Sequence, residues 1–189
     1  KSSNKPNTLV IGDSHAFDVY WSLYSNNNIR NKTNLLLEDK SWNTCFSTDL
    51  TENALFKIIK KIFKRYDKSQ ICKKELSNES FIKNISGADY IILVNRWKME
   101  SKFNHINSFI RKNSKQSSKI IYINNIDKFE HVPSLYFKYG SEINSVSLNK
   151  RDPETKLINK RMKNIISNKD FKFIDRSDFF CNQERCLLY

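Results

Sequence analysis

Three features of the sequence predict an α/β fold with a central, mostly parallel sheet. Short apolar runs alternate with longer amphipathic or polar segments along the chain, the order expected of strands and covering helices. The run Tyr90 to Val94 is continuously hydrophobic, as a strand covered on both faces should be. The segment Gly12-Asp13-Ser14-His15 follows the first apolar run directly and opens a helical pattern, which is the strand–turn–helix order of a βα unit.

The elements follow in order. Thr8 to Ile11 is a short apolar strand after a polar lead-in, and Ala16 to Tyr24 reads as a helix with Phe17, Tyr20, Trp21 and Tyr24 on one face. Asn34 to Leu37 forms a second strand, and the loop from Glu38 to Thr48 carries Trp42 and Cys45. An amphipathic helix runs from about Thr51 to Tyr66. Thr51 offers a cap, and Leu55, Ile58, Ile59, Ile62, Phe63 and Tyr66 recur at the spacing of one buried face. Cys72 falls in the next loop and Ser80 to Ile85 forms a short helix. The buried strand Tyr90 to Val94, a helix at Lys102 to Arg111 and a strand at Lys119 to Ile123 come next. Asp127 to Asn149, with Pro133 and Gly140, is the least regular stretch. Asp152-Pro153 then opens a helix over Glu154 to Ile166, with proline at a favoured first-turn position. Phe171 to Ile174 is the last strand, followed by Asp175 and a cysteine-bearing tail. No repeat or linker divides the chain, so a single domain over residues 1–189 is expected.

Composition bounds the function. With 189 residues and 39% hydrophobic content the chain has the material for a core, which argues against a fully disordered protein. No apolar run approaches the ~20 residues of a membrane span, and Lys1 to Asn7 is too polar for a signal peptide. The first residue is not methionine, which fits a piece excised from a longer protein. The net charge of +13 invites a nucleic-acid reading. Yet Lys (25), Asn (23) and Ile (21) dominate while Arg is only 8, and readers of phosphates and bases favour the Arg fork. The densest basic run, Lys57, Lys60, Lys61, Lys64 and Arg65, is the solvated face of the amphipathic helix. Nucleic acid is therefore not an expected partner; weak contact with an anionic envelope surface is.

Four cysteines, Cys45, Cys72, Cys181 and Cys186, allow three disulfide pairings. The sequence-local one, Cys45–Cys72 with Cys181–Cys186, asks least of the fold, with free thiols and a metal site as alternatives. A four-thiolate zinc site would normally use close cysteine pairs, and Cys45 and Cys72 are far apart, so no metal is expected. Two disulfides would imply an oxidising compartment such as a periplasm or the cell exterior.

Chemistry concentrates at Gly12 to His15. A serine at the carboxyl end of a strand, just before a helix, sits at the crevice where parallel sheets bind ligands. Ser14 is thereby placed as a nucleophile, and its N–H points from the helix N-terminus toward a developing oxyanion. Gly12 lets the chain turn tightly and Asp13 can hold the turn through loop amides. The plainer alternative is that Asp13 or Ser14 only caps the helix.

The strand–GDSHA–helix segment resembles block I of the SGNH (GDSL-like) hydrolase superfamily. More narrowly, it is similar to the SGNH domain appended to membrane acyltransferase-3 proteins that O-acetylate bacterial surface polysaccharides. The likeness extends along most of the chain in order. GDSHA is followed by Cys45 and Cys72, by the strand Asp89-Tyr90-Ile91-Ile92-Leu93-Val94-Asn95-Arg96-Trp97, and by Phe173-Ile174-Asp175 before Cys181 and Cys186. The resemblance implies a three-layer flavodoxin-like fold with a mostly parallel sheet. It also implies Ser14 as nucleophile and backbone oxyanion donor, and Asn95 in the oxyanion hole. Arg96 or Trp97 would line the pocket, Trp97 by stacking on a sugar or else as plain core. No cofactor is implied. The implied partners are a polysaccharide acceptor and a membrane acyltransferase domain, at a periplasmic or other extracytoplasmic site and tethered to the membrane in the full-length protein.

Two departures stand out. The block II glycine has no match, since Gly12, Gly87 and Gly140 are the only glycines; backbone amides near Trp42 to Cys45 are the candidate substitutes. The family's Asp-x-x-His, which supplies the base and its orienter, would follow the second tail cysteine, and the sequence stops three residues past Cys186. The expectation is a domain lacking that segment. Of the three histidines, His15 adjoins Ser14 and does not serve as the base in this family, His105 lies within a helix, and His131 lies beside Glu130 in the irregular stretch. Three functions follow in order. The first is O-acyl (acetyl) transfer to, or removal from, a surface polysaccharide through a Ser14 acyl-enzyme. The second is a glycan-binding or scaffold domain without turnover, and the third is basic nucleic-acid binding.

Overall fold

The computed structural model describes residues 5–40, 42–46, 68–99, 101–125, 137–142, 152–166 and 171–180. The chain forms two compact units, Lys1–Ile121 and Tyr122–Tyr189. The first contains β1 (Asn7–Gly12), α1 (Ser14–Ser25), α2 (Asn27–Arg30), β2 (Asn34–Asp39) and α3 (Trp42–Phe46). It continues with α4 (Lys68–Leu76), α5 (Glu79–Gly87), β3 (Tyr90–Val94), α6 (Phe103–Asn113) and the start of β4 (Lys119–Ile123). The second holds the end of β4, a 3-10 turn at Gly140–Glu142, α7 (Pro153–Ile166), β5 (Phe171–Ile174) and α8 (Ser177–Phe180).

The strand order is β2-β1-β3-β4 in the first unit, and β5 lies beside β4 in the second. β1 pairs in parallel with both neighbours, Val10 standing opposite Leu37 on one side and Ile92 on the other. This is the α/β architecture with a parallel sheet that the sequence predicts. β3 and β4 occupy their predicted residues, and four of the five residues of β3 are buried.

Two expectations change. The loop expected from Glu38 to Thr48 contains α3, and Cys72, expected in a loop, lies on α4. A four- or five-residue helix is too short to show a 3.6-residue period, so periodicity could not reveal α3. Its stability comes from tertiary contacts. The Cys45–Cys72 disulfide joins α3 to α4 across a Cα–Cα distance of 5.3 Å. The Trp42, Phe46, Phe81 and Phe109 rings pack at centroid distances of 5.7 to 6.3 Å, holding α3 against α5 and α6. The amphipathic helix predicted at Thr51 to Tyr66, His131 and the pair Cys181–Cys186 all lie outside the described residues.

One face of the first unit's sheet carries Leu9, Ile11, Ile91 and Leu93, all fully buried. They lie beneath α5, which contacts β1, and α6, which packs on α5 with Phe103, Ile106 and Ile110 inward. Each such side chain contributes about 1.5–3 kcal/mol relative to exposure. α1 covers the other face, where Leu23 shares a cavity with Thr8 and Ile92. In the second unit Asp152 caps α7, its Oδ2 accepting from the Thr155 N–H at 2.9 Å and the Thr155 hydroxyl at 2.6 Å. Tyr122 is buried edge-on against Phe171, and that burial pushes its phenol well above the ordinary range.

Asp89 joins the amino ends of three strands. Its Oδ2 accepts from the Asn7 N–H at 2.8 Å, its N–H donates to Asn7 O, and its carbonyl accepts from the Lys119 N–H. The Asn7 amide and then Lys115, whose Nζ lies 2.9 Å from Oδ1, hold its carboxyl below the usual value near 3.8. A depressed carboxylate stabilises the fold above its unfolded-state value and loses that contribution as pH falls through the folded one. Urea midpoints should therefore decline as pH drops below about 4, and Asp89→Asn should make that decline shallower. Identical acid profiles for the two proteins would contradict this.

Candidate functional site

The candidate site is built where β1, β2 and β3 end together. Gly12, the last residue of β1, stands in register with Asp39 of β2 and Val94 of β3. A Cβ placed on Gly12 would come within 1.5 Å of the Val94 carbonyl oxygen, so no other residue fits. The need shown is for space: among the glycines only Gly140 has a positive φ, so Gly12 is required for close backbone approach rather than for a left-handed conformation. The Gly12 carbonyl in turn accepts from the Lys40 N–H at 2.8 Å, which fastens the end of β2.

Asp13 performs two tasks with one carboxylate. It is the N-cap of α1, with Oδ1 accepting from the His15 N–H at 3.1 Å. Its Oδ2 accepts from the Arg96 N–H, 83 residues further along the chain, at 2.9 Å. The β1–α1 turn and the segment after β3 are thereby fixed to each other by charge-assisted bonds. The cap was legible from an aspartate before a helical pattern. The second bond was not, because its partner is remote in sequence.

Ser14 is therefore the first residue of α1, two positions earlier than the predicted helix start, and is exposed. Among the described residues its hydroxyl has no hydrogen-bond partner. Asn95 follows β3 directly and is buried, with only 1% of its surface exposed. Among the described residues neither its Nδ2 nor its Oδ1 has a partner. Buried amides are nearly always satisfied, and each unsatisfied group costs about 1–3 kcal/mol. Ser14 and Asn95 thus stand just past paired strand ends, linked through Asp13.

The other expected residues are distributed differently. Arg96 is exposed beside Asp13. Trp97 is buried against Phe103 at 5.2 Å, its ring turned into the core and away from any sugar. His105 is exposed on α6, and neither it nor His15 is hydrogen-bonded to the Ser14 hydroxyl. Trp42 to Cys45, whose backbone amides are the expected substitutes for the missing block II glycine, lie in α3; the Lys40 N–H just before them is engaged by the Gly12 carbonyl, and the Trp42 side chain is buried, its indole N–H without a partner among the described residues. Among the described residues no cluster of acidic, histidine or cysteine side chains could hold a metal, and no helix is long and apolar enough to cross a membrane. An apolar cavity of about 390 Å³ lies at the opposite, amino-terminal ends of the strands, lined by Thr8, Leu23, Ile29, Tyr90, Ile92 and Ile121. It is remote from Ser14.

Replacing Asp13 by Ala removes the cap and the tie to Arg96. It should destabilise the protein by about 2 kcal/mol, read from urea unfolding, whereas Asp13→Ser, which keeps a capping oxygen, should lose less. Equal losses for the two variants would show that the bond to Arg96 carries all the effect.

Comparison with curated proteins finds no match. Among solved structures the chain is similar to the periplasmic domain of a lipopolysaccharide acetyltransferase from Salmonella ser. Paratyphi A. The TM-score is 0.62 at 14% identity, over 98% of this chain and 72% of that one. At that identity the likeness speaks for the fold. The model of the family described as SGNH domains fused to AT3 domains matches residues 1–189, and the chain belongs to that family.

Proposed function

We propose that this domain carries out O-acyl transfer, with acetyl as the acyl group, to or from a cell-surface polysaccharide through an acyl-enzyme on Ser14. The observation that carries the reading is Asn95: a buried amide with both ends unpaired among the described residues, at the end of the strand paired with the one that leads into an exposed serine at the first turn of a helix. An amide kept unpaired at that cost is poised for a group that arrives only with substrate.

In the first half-reaction the Ser14 hydroxyl oxygen attacks the carbonyl carbon of the acyl donor. The serine proton passes through a base to the leaving oxygen as the bond between carbonyl carbon and donor breaks. In the second, a sugar hydroxyl attacks the acyl-serine, the sugar ester forms and the proton returns to Ser14. Water in place of the sugar makes the same site an esterase. The Ser14 N–H and Asn95 Nδ2 are the donors assigned to the tetrahedral oxyanion, and Asp13 positions both. No base is assigned among the described residues, and the steps require no cofactor.

Membership of a family fused to AT3 domains supports a membrane acyltransferase domain as the partner that delivers the acyl group. That membership and the Cys45–Cys72 disulfide support an extracytoplasmic, membrane-tethered location. The polysaccharide acceptor finds support in the lipopolysaccharide acetyltransferase whose periplasmic domain shares the fold.

A serine-directed phosphonate applied to the full-length protein should label Ser14, as read by peptide mass spectrometry, and Ser14→Ala should abolish transfer. Asn95→Ala should lower kcat by about 10²–10³ with the fold intact. Polysaccharide binding without any Ser14-dependent turnover would overturn the catalytic reading in favour of a glycan-binding scaffold.

A further inference from the structure

The sequence marks Phe17, Tyr20, Trp21 and Tyr24 as one face of α1, yet Ala16 is the buried residue of that helix and the aromatic side is outward. Phe17 is 40% exposed, Trp21 56% and Tyr24 39%. Positions 14, 17, 21 and 24 follow the i, i+3, i+7, i+10 spacing of a single helical stripe, so the aromatic row is in phase with Ser14. At 1.5 Å per residue it extends about 15 Å from the serine, the span of a few sugar rings. Contiguous exposed aromatics on a soluble domain usually mark a binding surface.

The rings are held in place. Half-buried Tyr20 stacks on Tyr24 at 6.0 Å and meets Trp21 edge-on at 5.6 Å, while Trp21 meets Tyr24 edge-on at 5.5 Å. At the far end the Arg30 guanidinium lies 5.4 Å over the Tyr24 ring and donates to Asn27 Oδ1 at 2.8 Å. Large rings with few rotatable bonds, already braced, bind at low entropic cost. Beyond Ser14 the exposed positions 17, 21 and 24 of the stripe are all aromatic, and the row ends in hydroxyl, guanidinium and amide groups. Flat apolar faces bordered by hydrogen-bonding groups suit the alternating C–H and O–H surfaces of pyranose rings.

We propose that this stripe is an acceptor subsite: the polysaccharide chain lies along α1, sugar faces on Trp21 and its neighbours, and leads the hydroxyl to be acylated into Ser14. The proposal rests on the acyl-transfer reading for its direction along the helix. It moves sugar stacking from Trp97, which is in the core, to α1.

The test is a binding titration on the full-length protein carrying Ser14→Ala, which prevents turnover. The probes are the delipidated surface polysaccharide of the source cell and its mono- and oligosaccharide fragments. Affinity should rise from monosaccharide to oligosaccharide. Trp21→Ala combined with Tyr24→Ala should weaken oligosaccharide binding about tenfold or more and remove the length dependence, whereas Trp21→Phe should retain most of it. Because these side chains are exposed, the variants should keep the parent's circular dichroism spectrum and unfolding midpoint. Unchanged oligosaccharide affinity in the double variant, or no gain with length in the parent, would overturn the proposal. So would loss of binding to anionic phospholipid vesicles with saccharide binding unaltered, which would assign the stripe to a membrane surface. Wild-type turnover of a small acetyl ester is measured separately: its absence would sink the acyl-transfer reading, and the titration would still decide whether the stripe binds glycan.

Discussion

The Val94 carbonyl lies so close to Gly12 that any side chain there would collide with it. That contact sets the geometry of everything after it. It brings the ends of β1 and β3 together, and the Lys40 amide on the Gly12 carbonyl adds β2. Asp13 then spans the short remaining distance from the helix start to the Arg96 amide. Ser14 and Asn95 stand where they do because the residues before them have no freedom to stand elsewhere.

A comparison of two asparagines sharpens the meaning of Asn95. Asn124 follows β4 as Asn95 follows β3, and both are 1% exposed. The Asn124 amide is paired at both ends: its Nδ2 donates to Asp175 at 2.5 Å and its Oδ1 accepts from the Arg176 N–H at 2.7 Å. Asp175 also takes the Ser177 amide at 3.0 Å and the Ser177 hydroxyl, closing the turn after β5. A strand-ending asparagine in this fold can thus be fully satisfied when its task is structural. Among the described residues Asn95 lacks such partners, and within them nothing offsets its cost.

Much of the architecture was legible in the sequence because the features that carry it are local. The continuous hydrophobicity of Tyr90 to Val94, the Asp152-Pro153 start of α7 and the aspartate before Ser14 each express a preference within a few residues. The short helices were not legible. α3 exists because Trp42 packs among three phenylalanines and Cys45 is bonded to Cys72, and none of these partners is near in sequence except Phe46. The aromatic side of α1 was read correctly as one face, but periodicity reports only that a face exists. Which side of the helix meets the sheet depends on what packs against it.

The sequence by itself determined the α/β class, the succession of strands and helices along the chain and the serine at the start of a helix. Hydrophobic period and capping chemistry are properties of neighbouring residues, and neighbours are what a sequence displays. Only the tertiary structure decided that Gly12 is required for space, that Asp13 ties two distant segments, that Asn95 is buried without partners among the described residues and that Trp97 is core while Trp21 faces solvent. Each of those depends on atoms brought together from residues far apart in the chain. Burial and hydrogen-bond satisfaction are properties of the folded surroundings, and no single segment contains them.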